Sequence, residues 1–253
     1  MTVDEAIAKV RSRSWFYEFD LPDGSKTRSY LPAGVERIHS TRLDMLWLAL
    51  GAFSADEWPR LSFIDLACHQ GFYATQVARR GCREVLAIDA RPAHVEDTNL
   101  MAAVYGLTNL HARQADIDEL KPDDLGSFDV TMMLGILYHM ENPVRLLRLA
   151  RAITRRACVI ETQVAPNMTG VVDWGAYTFQ RPMIGTLAII DETAETHAPE
   201  ASTTGICLCP SYEALTWILR TVGFRRTERI APPEGAYEQH MSGKRVMVVA
   251  HVE

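Results

Sequence analysis

The sequence predicts an α/β fold, a mainly parallel sheet with helices on both of its faces. Three observations lead to this prediction. Short apolar segments alternate with helix-like segments between residues 61 and 161, glycines and prolines mark the ends of those helices, and 253 residues are enough for one large α/β domain. Apolar strands that alternate with helices are typical of parallel sheets, because the crossover helices cover both faces.

Glycines and prolines set the bounds of the elements in this region. Gly81 and Gly106 follow two helical segments directly and end them, whereas Pro92 and Pro143 stand where helices begin. The apolar segments between these helices are short enough to be buried strands. The predicted order is strand 61–66, helix 71–80, strand 84–89, helix 92–105, strand 110–114, strand 127–134, helix 143–152 and strand 157–161.

Two regions lie outside this alternation. Residues 164–209 contain several glycines and prolines without a clear period. We therefore expect a long insertion there, which in compact enzymes usually forms a lid or a binding loop for the acceptor. Residues 1–60 include an amphipathic stretch around Asp44 to Leu48 and are predicted to form an N-terminal cap over the main domain.

The C-terminal part completes the sheet. Ser211 caps a helix that extends to residue 222, and strands 226–230 and 245–252 follow it. Five parallel strands with a late inserted hairpin give seven strands. The full prediction is a Rossmann-like, doubly wound seven-stranded sheet in residues 61–253, with the insertion after its fifth strand.

The composition of the chain bears on its cellular compartment and on the classes of partner that it binds. The chain has 47% hydrophobic and 23% charged residues, and it contains no apolar run long enough to cross a membrane. The five cysteines are an odd number and lie far apart in most cases, which favours a reducing cytoplasm over a disulfide framework. The net charge of −6 argues against nucleic acid as a partner, because proteins that bind a phosphate backbone usually carry a basic excess.

Carboxylates end two successive strands of the predicted sheet. Asp65 ends the first strand and Asp89 ends the second, with Ala90 directly after it. Ligands of open α/β sheets bind beyond the carboxyl ends of the strands, so Asp89 is placed to accept the ribose hydroxyls of an adenosine. After the third strand, Asp116 is a candidate for the adenine amino group and Ile117 for the face of the ring.

The turn after the first strand separates two cofactor classes. A dinucleotide needs three glycines there, because its pyrophosphate lies on the helix N-terminus. This chain has Ala67, His69 and Gly71 at those positions, and His69 would crowd a pyrophosphate. S-adenosylmethionine has no phosphate and is therefore favoured. The alternative is that Asp65 and Asp89 merely cap helices.

The ends of the fourth and fifth strands supply candidates for the chemistry. Leu134 and Tyr138 are predicted to contact the cofactor, and His139 to take a proton from an acceptor hydroxyl. A histidine that simply bonds a backbone carbonyl is an equal alternative. At the end of the fifth strand, Glu161 is a second candidate for proton transfer and Gln163 for acceptor binding.

A metal and an aromatic acceptor surface are further hypotheses. Glu161 with Asp173 and Asp191 in the insertion could hold a divalent cation such as magnesium, although solvated acids are the favoured interpretation. Trp174 and Tyr177, with Phe179 nearby, could stack on a sugar or an aromatic acceptor, although packing within a lid is more common.

Taken together, these segments resemble the class I S-adenosylmethionine methyltransferases over residues 61–252. Shorter matches resemble the CmoB family, which modifies the wobble uridine of tRNA. They include residues 15–17 and 21–24, 135–139, 159–162, and 210–211 with 223–224. The resemblance implies the methyltransferase fold and a cofactor contact by Tyr138.

The departures from that family decide between functions. Members carry a lysine near the N-terminus and an arginine-rich segment before the last strand, which hold the carboxylate of carboxy-S-adenosylmethionine. Residues 31–44 and 230–243 show no counterpart. We therefore expect an O-methyltransferase for a small polyhydroxylated acceptor, a sugar or oligosaccharide or a secondary metabolite, as in shortened sugar-modifying relatives. A tRNA-modifying enzyme and a non-catalytic cofactor-binding protein are the alternatives. The sequence leaves the oligomeric state open, with a homodimer through the apolar insertion as one candidate.

Overall fold

The computed structural model describes residues 2–172, 181–193, 202 and 204–253. Its helices are α1 (Val3–Arg11), α2 (Arg37–Ala49), α3 (Phe72–Arg79), α4 (Pro92–Val104), α5 (Pro143–Ile153), α6 (Tyr212–Thr221) and α7 (Glu238–Met241). Its strands are β1 (Ser62–Leu66), β2 (Glu84–Asp89), β3 (Leu110–Gln114), β4 (Phe128–Leu134), β5 (Thr154–Gln163), β6 (Gly170–Val172), β7 (Arg181–Met183), β8 (Leu187–Asp191), β9 (Ile206–Pro210), β10 (Arg226–Ile230) and β11 (Arg245–His251).

The main sheet has seven strands in the order β10-β11-β5-β4-β1-β2-β3. Strands β1 to β5 pair in parallel, and β11 pairs antiparallel with both β5 and β10. This confirms the predicted α/β fold, including the late hairpin inserted next to the fifth strand. Strand β1 pairs with β2 on one side and with β4 on the other, so the strand order reverses there and opens a crevice beyond the carboxyl ends.

Two hydrophobic cores cover the faces of this sheet. One contains side chains of α3 and α4 together with residues of the N-terminal region, such as Trp15 and Phe19. The other contains side chains of α5 and α6, such as Leu147 and Leu215. Side chains of the N-terminal region therefore share a hydrophobic core with the sheet. No helix among the described residues is long and apolar enough to cross a membrane.

The insertion contains regular structure that the sequence did not predict. Strands β6 and β7 form one antiparallel pair, and β8 and β9 form another. The β8–β9 pair lies against the rest of the domain through the backbone amide of Leu208, which donates to the carbonyl of Met140 at 2.9 Å. Because Met140 directly follows the 3₁₀ helix Leu137–His139, the insertion is fastened next to the end of β4.

Candidate functional site

A cavity of about 420 Å³ opens beyond the carboxyl ends of β1, β2 and β4. Its wall brings together elements that are distant in sequence: the N-terminal region, the turn after β1, the end of β4 and the segment around α7. The predicted site residues that line it are Ala67, His69, Asp89, Ala90, Asp116, Ile117, Leu134, Tyr138, His139 and Gln163. Trp174 and Tyr177, like Asp173 and Phe179, lie outside the described residues.

The turn after β1 has a left-handed backbone at three positions. Ala67 has φ 60°, His69 has φ 51° and Gly71 has φ 74°. Only glycine fits at position 71, because a Cβ there would come within 2.5 Å of the Thr98 side chain. The two residues with side chains hold a conformation that costs energy, and such strain is typical of ligand-binding turns. Gly71 itself lies behind the cavity wall as the N-cap of α3.

His69 lines the cavity and has a buried ring nitrogen without a partner among the described residues. Its ring stacks on His94 at 3.9 Å between centroids, and Nδ1 has no hydrogen-bond partner among the described residues. Burial, and then the neighbouring His94, lower the pKa of His69 to about 3, so the ring is neutral near pH 7. A buried polar atom without a partner fits a site that a polar ligand completes.

Asp89 is held as an ionised carboxylate at the end of β2. Oδ1 accepts from the Arg91 amide at 2.9 Å and lies 3.0 Å from Nδ1 of His94, while Oδ2 accepts from the His69 amide at 2.9 Å. Burial alone would raise the pKa of Asp89, but the bonds to His94 and Arg91 outweigh it and lower the pKa below its ordinary value. A charged, hydrogen-bonded carboxylate in the cavity wall suits the ribose hydroxyls that the sequence assigned to it.

Asp65 lies inside the protein, away from the cavity that its sequence position suggested. Its side chain is buried and does not line the cavity, and Oδ2 has no hydrogen-bond partner among the described residues. Burial, and then the nearby negative charge of Asp89, raise the pKa of Asp65 to about 8. Asp65, which its place at the end of the first strand made a candidate cofactor contact, therefore does not reach the cavity.

Tyr138 and His139 lie at the opposite end of the cavity from Asp116. Both belong to the 3₁₀ helix that follows β4, as the sequence predicted for the fourth-strand turn. The Tyr138 hydroxyl accepts a hydrogen bond of 3.0 Å from Arg245. The Nδ1 atom of His139 lies 2.6 Å from Oε2 of Glu192, a buried residue that directly follows β8.

Glu161 does not reach the cavity. Its carboxylate is fully buried and lies 2.9 Å from Arg42, 3.2 Å from Arg245 and 3.0 Å from His240. Burial alone would raise the pKa of Glu161, but Arg42 and Arg245 outweigh it and hold the pKa at about 2. The prediction that Glu161 takes a proton from an acceptor is therefore wrong, because its oxygens are occupied by cations and shielded from the cavity.

The same surroundings rule out Glu161 as a ligand of the suggested magnesium ion. The Glu161 carboxylate is fully buried among Arg42, Arg245 and His240 and is not open to a cation in the cavity. Within residues 2–172, 181–193, 202 and 204–253, no group of three or more His, Cys, Asp or Glu side chains is arranged to hold a metal ion.

Three cavity residues were missed by the sequence analysis. Arg42 and Arg245 line the wall near Tyr138, although residues 31–44 showed no counterpart of the CmoB lysine and residues 230–243 no counterpart of its arginine-rich segment. His39 lies beside them, and both of its ring nitrogens lack partners among the described residues. Burial, and then the charges of the two arginines, lower the pKa of His39 to about 3.

One signal in the sequence could have revealed Arg42. It lies on the same side of α2 as Ile38, Met45 and Leu46, which are all buried, so a charge falls on the apolar face of an amphipathic helix. Charged side chains are almost never fully buried unless they are paired, which makes such a position a sign of a buried ion pair.

Parts of the chain are similar to known methyltransferases. Residues 63–157 match the model of a methyltransferase domain. A tRNA U34 carboxymethyltransferase of Desulfotalea psychrophila is 27% identical over 154 residues, which are 55% of this chain and 46% of that protein. A ubiquinone biosynthesis O-methyltransferase of Acinetobacter baylyi is 26% identical over 92 residues, 36% of this chain and 38% of that protein. The chain thus spans less than half the length of these relatives.

Solved structures match over more of the chain. The N-terminal domain of EvdMO1, determined in the presence of S-adenosylhomocysteine (SAH) and D-fucose, has a TM-score of 0.71 at 18% identity and covers 100% of this chain and 98% of that one. Magnesium protoporphyrin IX methyltransferase from Synechocystis PCC 6803 with bound S-adenosylmethionine has a TM-score of 0.58 at 15% identity, covering 91% and 87%. Residues 63–157 therefore match a methyltransferase domain, and the whole chain has the fold of these solved methyltransferase structures.

Proposed function

We propose that the protein transfers the methyl group of S-adenosylmethionine to a hydroxyl of a small polyhydroxylated acceptor, a sugar or oligosaccharide or a secondary metabolite. The observation that carries this proposal is a single cavity that joins Asp89 and Asp116 at one end to Tyr138 and His139 at the other. One end suits an adenosine, and the other offers a proton acceptor beside polar side chains.

The residues of the first end fit S-adenosylmethionine. Asp89 is the acceptor for the ribose hydroxyls, Asp116 for the adenine amino group, and Ile117 packs against the ring. The unpaired Nδ1 of His69 needs a polar partner that a ligand would supply. Ala67, Ala90, Leu134 and Tyr138 complete the wall. When bound, the cofactor supplies a methyl group on a positively charged sulfur.

The second end supports a hydroxylated acceptor. Gln163 and Tyr237 line the wall there, and both can donate to or accept from hydroxyl groups. His139 takes the proton of the acceptor hydroxyl, and the cavity holds that oxygen in line with the methyl group, since positioning supplies most of the rate in such reactions. The D-fucose present with the EvdMO1 domain supports a sugar as the first acceptor to test.

Calorimetry with SAH tests the cofactor half of the proposal. Wild-type protein should bind SAH, and Asp89→Ala should weaken binding at least tenfold, because it removes a charged acceptor from the ribose subsite. Asp123→Ala, a change outside the cavity, is the matched control. The proposal is wrong if wild type binds neither SAH nor S-adenosylmethionine.

Methyl transfer itself is tested with methyl-labelled S-adenosylmethionine and a panel of free sugars, oligosaccharides and phenolic metabolites. Label should appear in a product whose new ether is located by mass spectrometry. Label on nitrogen in every product would contradict O-methylation.

A second candidate function is carboxymethyl transfer to tRNA. Its support is the cluster of Arg42, Arg245 and Tyr138 in the cavity wall, which contradicts the premise that cations are missing. Two guanidinium groups face one carboxylate, Glu161, so the cluster carries excess positive charge that suits an anionic group. One matched relative is named a tRNA U34 carboxymethyltransferase.

Competition between cofactors separates the two functions. Carboxymethyl transfer predicts that carboxy-S-adenosylmethionine binds at least tenfold more tightly than S-adenosylmethionine, and that Arg245→Met removes this preference. It also predicts salt-sensitive binding of tRNA in a gel-shift assay. Equal affinity for both cofactors without tRNA binding would leave O-methylation of a small acceptor as the function.

A further inference from the structure

We propose that Glu192, which the insertion contributes, is the positioning residue that prepares His139 to accept the proton of the acceptor. This inference rests on the proposed methyl transfer and adds to it a function for the insertion. Glu192 lies directly after β8 and is almost completely buried, and His139 lies in the cavity wall. The two residues are far apart in sequence and meet only through the fold.

The contact between them fixes the tautomer of the imidazole. The Nδ1 atom of His139 lies 2.6 Å from Oε2 of Glu192, a distance that requires a hydrogen between them. An ionised carboxylate only accepts hydrogen bonds, so the proton is on Nδ1 and the lone pair is on Nε2. In this tautomer Nε2 is the atom that receives a proton from an acceptor hydroxyl.

Other donors keep Glu192 ionised and in place. The thiol of Cys207 donates to Oε2 at 3.0 Å, and the backbone amide of Ser202 donates to the same oxygen at 3.2 Å. Hydrogen bonds to a carboxylate favour its charged form and fix its direction. The contacts of His139, Ser202 and Cys207 with Oε2 already restrict the Glu192 side chain, so it loses little conformational entropy when the reaction begins. Glu192 and His139 are therefore preorganised for proton transfer.

Backbone bonds hold the two partners at a fixed separation. In the β8–β9 pair, Ile190 lies opposite Cys207, which brings the buried side chains of Glu192 and Cys207 to the same end of the pair. The amide of Leu208 donates to Met140 at 2.9 Å, directly after the 3₁₀ helix that carries His139. The register of β9 therefore sets the position of Glu192 relative to the imidazole.

The acceptor oxygen forms a bond to the methyl carbon while the carbon–sulfur bond breaks, and that electron pair stays on sulfur, giving SAH. The proton of the acceptor hydroxyl moves to Nε2 of His139 and produces an imidazolium ion. The negative charge of Glu192 stabilises this ion at Nδ1, and the proton later leaves to solvent.

The tautomer is measured by ¹⁵N NMR of the histidine rings in the SAH complex, which requires no acceptor. The His139 signals are identified by their loss in His139→Gln. We expect wild type to show His139 protonated at Nδ1, and Glu192→Ala to show the Nε2-protonated form that free imidazole prefers. An Nε2-protonated ring in wild type, or no change in Glu192→Ala, would overturn the proposal.

Steady-state kinetics of a Glu192 variant provide a second, independent test. Glu192→Gln keeps the size of the side chain but removes the charge, and we expect kcat to fall on the order of 10²-fold with KM and SAH affinity nearly unchanged. The matched control is Glu213→Gln, an exposed change at the start of α6 that should leave kcat unaltered. A kcat within twofold of wild type for Glu192→Gln would overturn the proposal.

The two measurements separate failure of this inference from failure of the proposed function. If wild type binds SAH but methylates no hydroxylated acceptor, the proposed function fails while the NMR result still decides the pairing of His139 with Glu192. If methyl transfer occurs and both Glu192 results are negative, only the inference fails.

Discussion

Replacing Glu161 by Gln tests whether this residue serves stability or chemistry. The change removes the one negative charge that lies between Arg42 and Arg245 and leaves two guanidinium groups buried without their carboxylate. The pKa of Glu161 falls from an ordinary 4.5 to about 2 in the folded protein. With each pKa unit worth about 1.4 kcal/mol, the ionised form contributes about 3 kcal/mol to folding.

The general cost of breaking a buried ion pair is similar to this free energy. Breaking a buried ion pair by removing one partner costs about 3–5 kcal/mol, because the remaining charge is uncompensated. Urea unfolding at pH 7 should therefore show Glu161→Gln to be about 3–5 kcal/mol less stable than wild type. The control is Glu84→Gln, whose exposed pair with Arg83 should contribute less than about 1 kcal/mol.

The pH dependence follows from the direction of the same pKa change. A carboxyl group whose folded pKa is lowered stabilises the protein above its unfolded pKa and loses that contribution as the pH falls toward the folded value. The difference between wild type and Glu161→Gln should therefore shrink between about pH 4.5 and pH 2. If the variant unfolded at the wild-type urea concentration while methyl transfer collapsed, Glu161 would act in the chemistry and the structural account would be wrong.

Further predictions concern the turn, the second buried acid, the N-terminal region and assembly. Gly71→Ala should lower the free energy of unfolding by about 2–4 kcal/mol, measured in urea, because its Cβ would meet Thr98 and its φ is positive. Asp65 has a raised folded pKa of about 8 and so loses stability as pH rises from about 4 to 8; Asp65→Asn should therefore gain stability over wild type at pH 8, by about 1–3 kcal/mol. Trp15→Ala should cost about 3–5 kcal/mol in one cooperative transition, since its ring is buried and its Nε1 donates to Val10; a main-domain transition unchanged by it would make residues 1–60 an independent cap. The homodimer stays a prediction, and a single species at monomer mass in sedimentation velocity would contradict it.

Several strands of the main sheet could be predicted closely from the sequence. The bounds of β2, β3 and β10 agree residue for residue, because each strand follows a helix whose end is marked by a glycine, Gly81, Gly106 and Gly223. The strands of the insertion could not be predicted. Strand β8 is exposed along most of its length, so its sequence carries no alternation of apolar and polar positions.

For the site, the sequence by itself determined the edge at which the candidate residues meet. Parallel strands end on the same side of a sheet, so Asp89, Tyr138 and His139 come to one cavity as a direct consequence of strand order. That inference needed only local periodicity and turn chemistry, which are properties of short segments. The same reasoning brought Asp116 and Ile117 to that cavity.

Only the tertiary structure decided which partner each charged group has. Glu161 ends an apolar strand, as its sequence position indicates, but its pairing with Arg42 from α2 and Arg245 from β11 depends on contacts between distant segments. The pairing of His139 with Glu192 depends in the same way on how the insertion docks. Local sequence fixes which groups reach an edge of the sheet, whereas packing fixes which charges are buried together, and burial decides whether a carboxylate is a base, a counter-ion or a neutral acid.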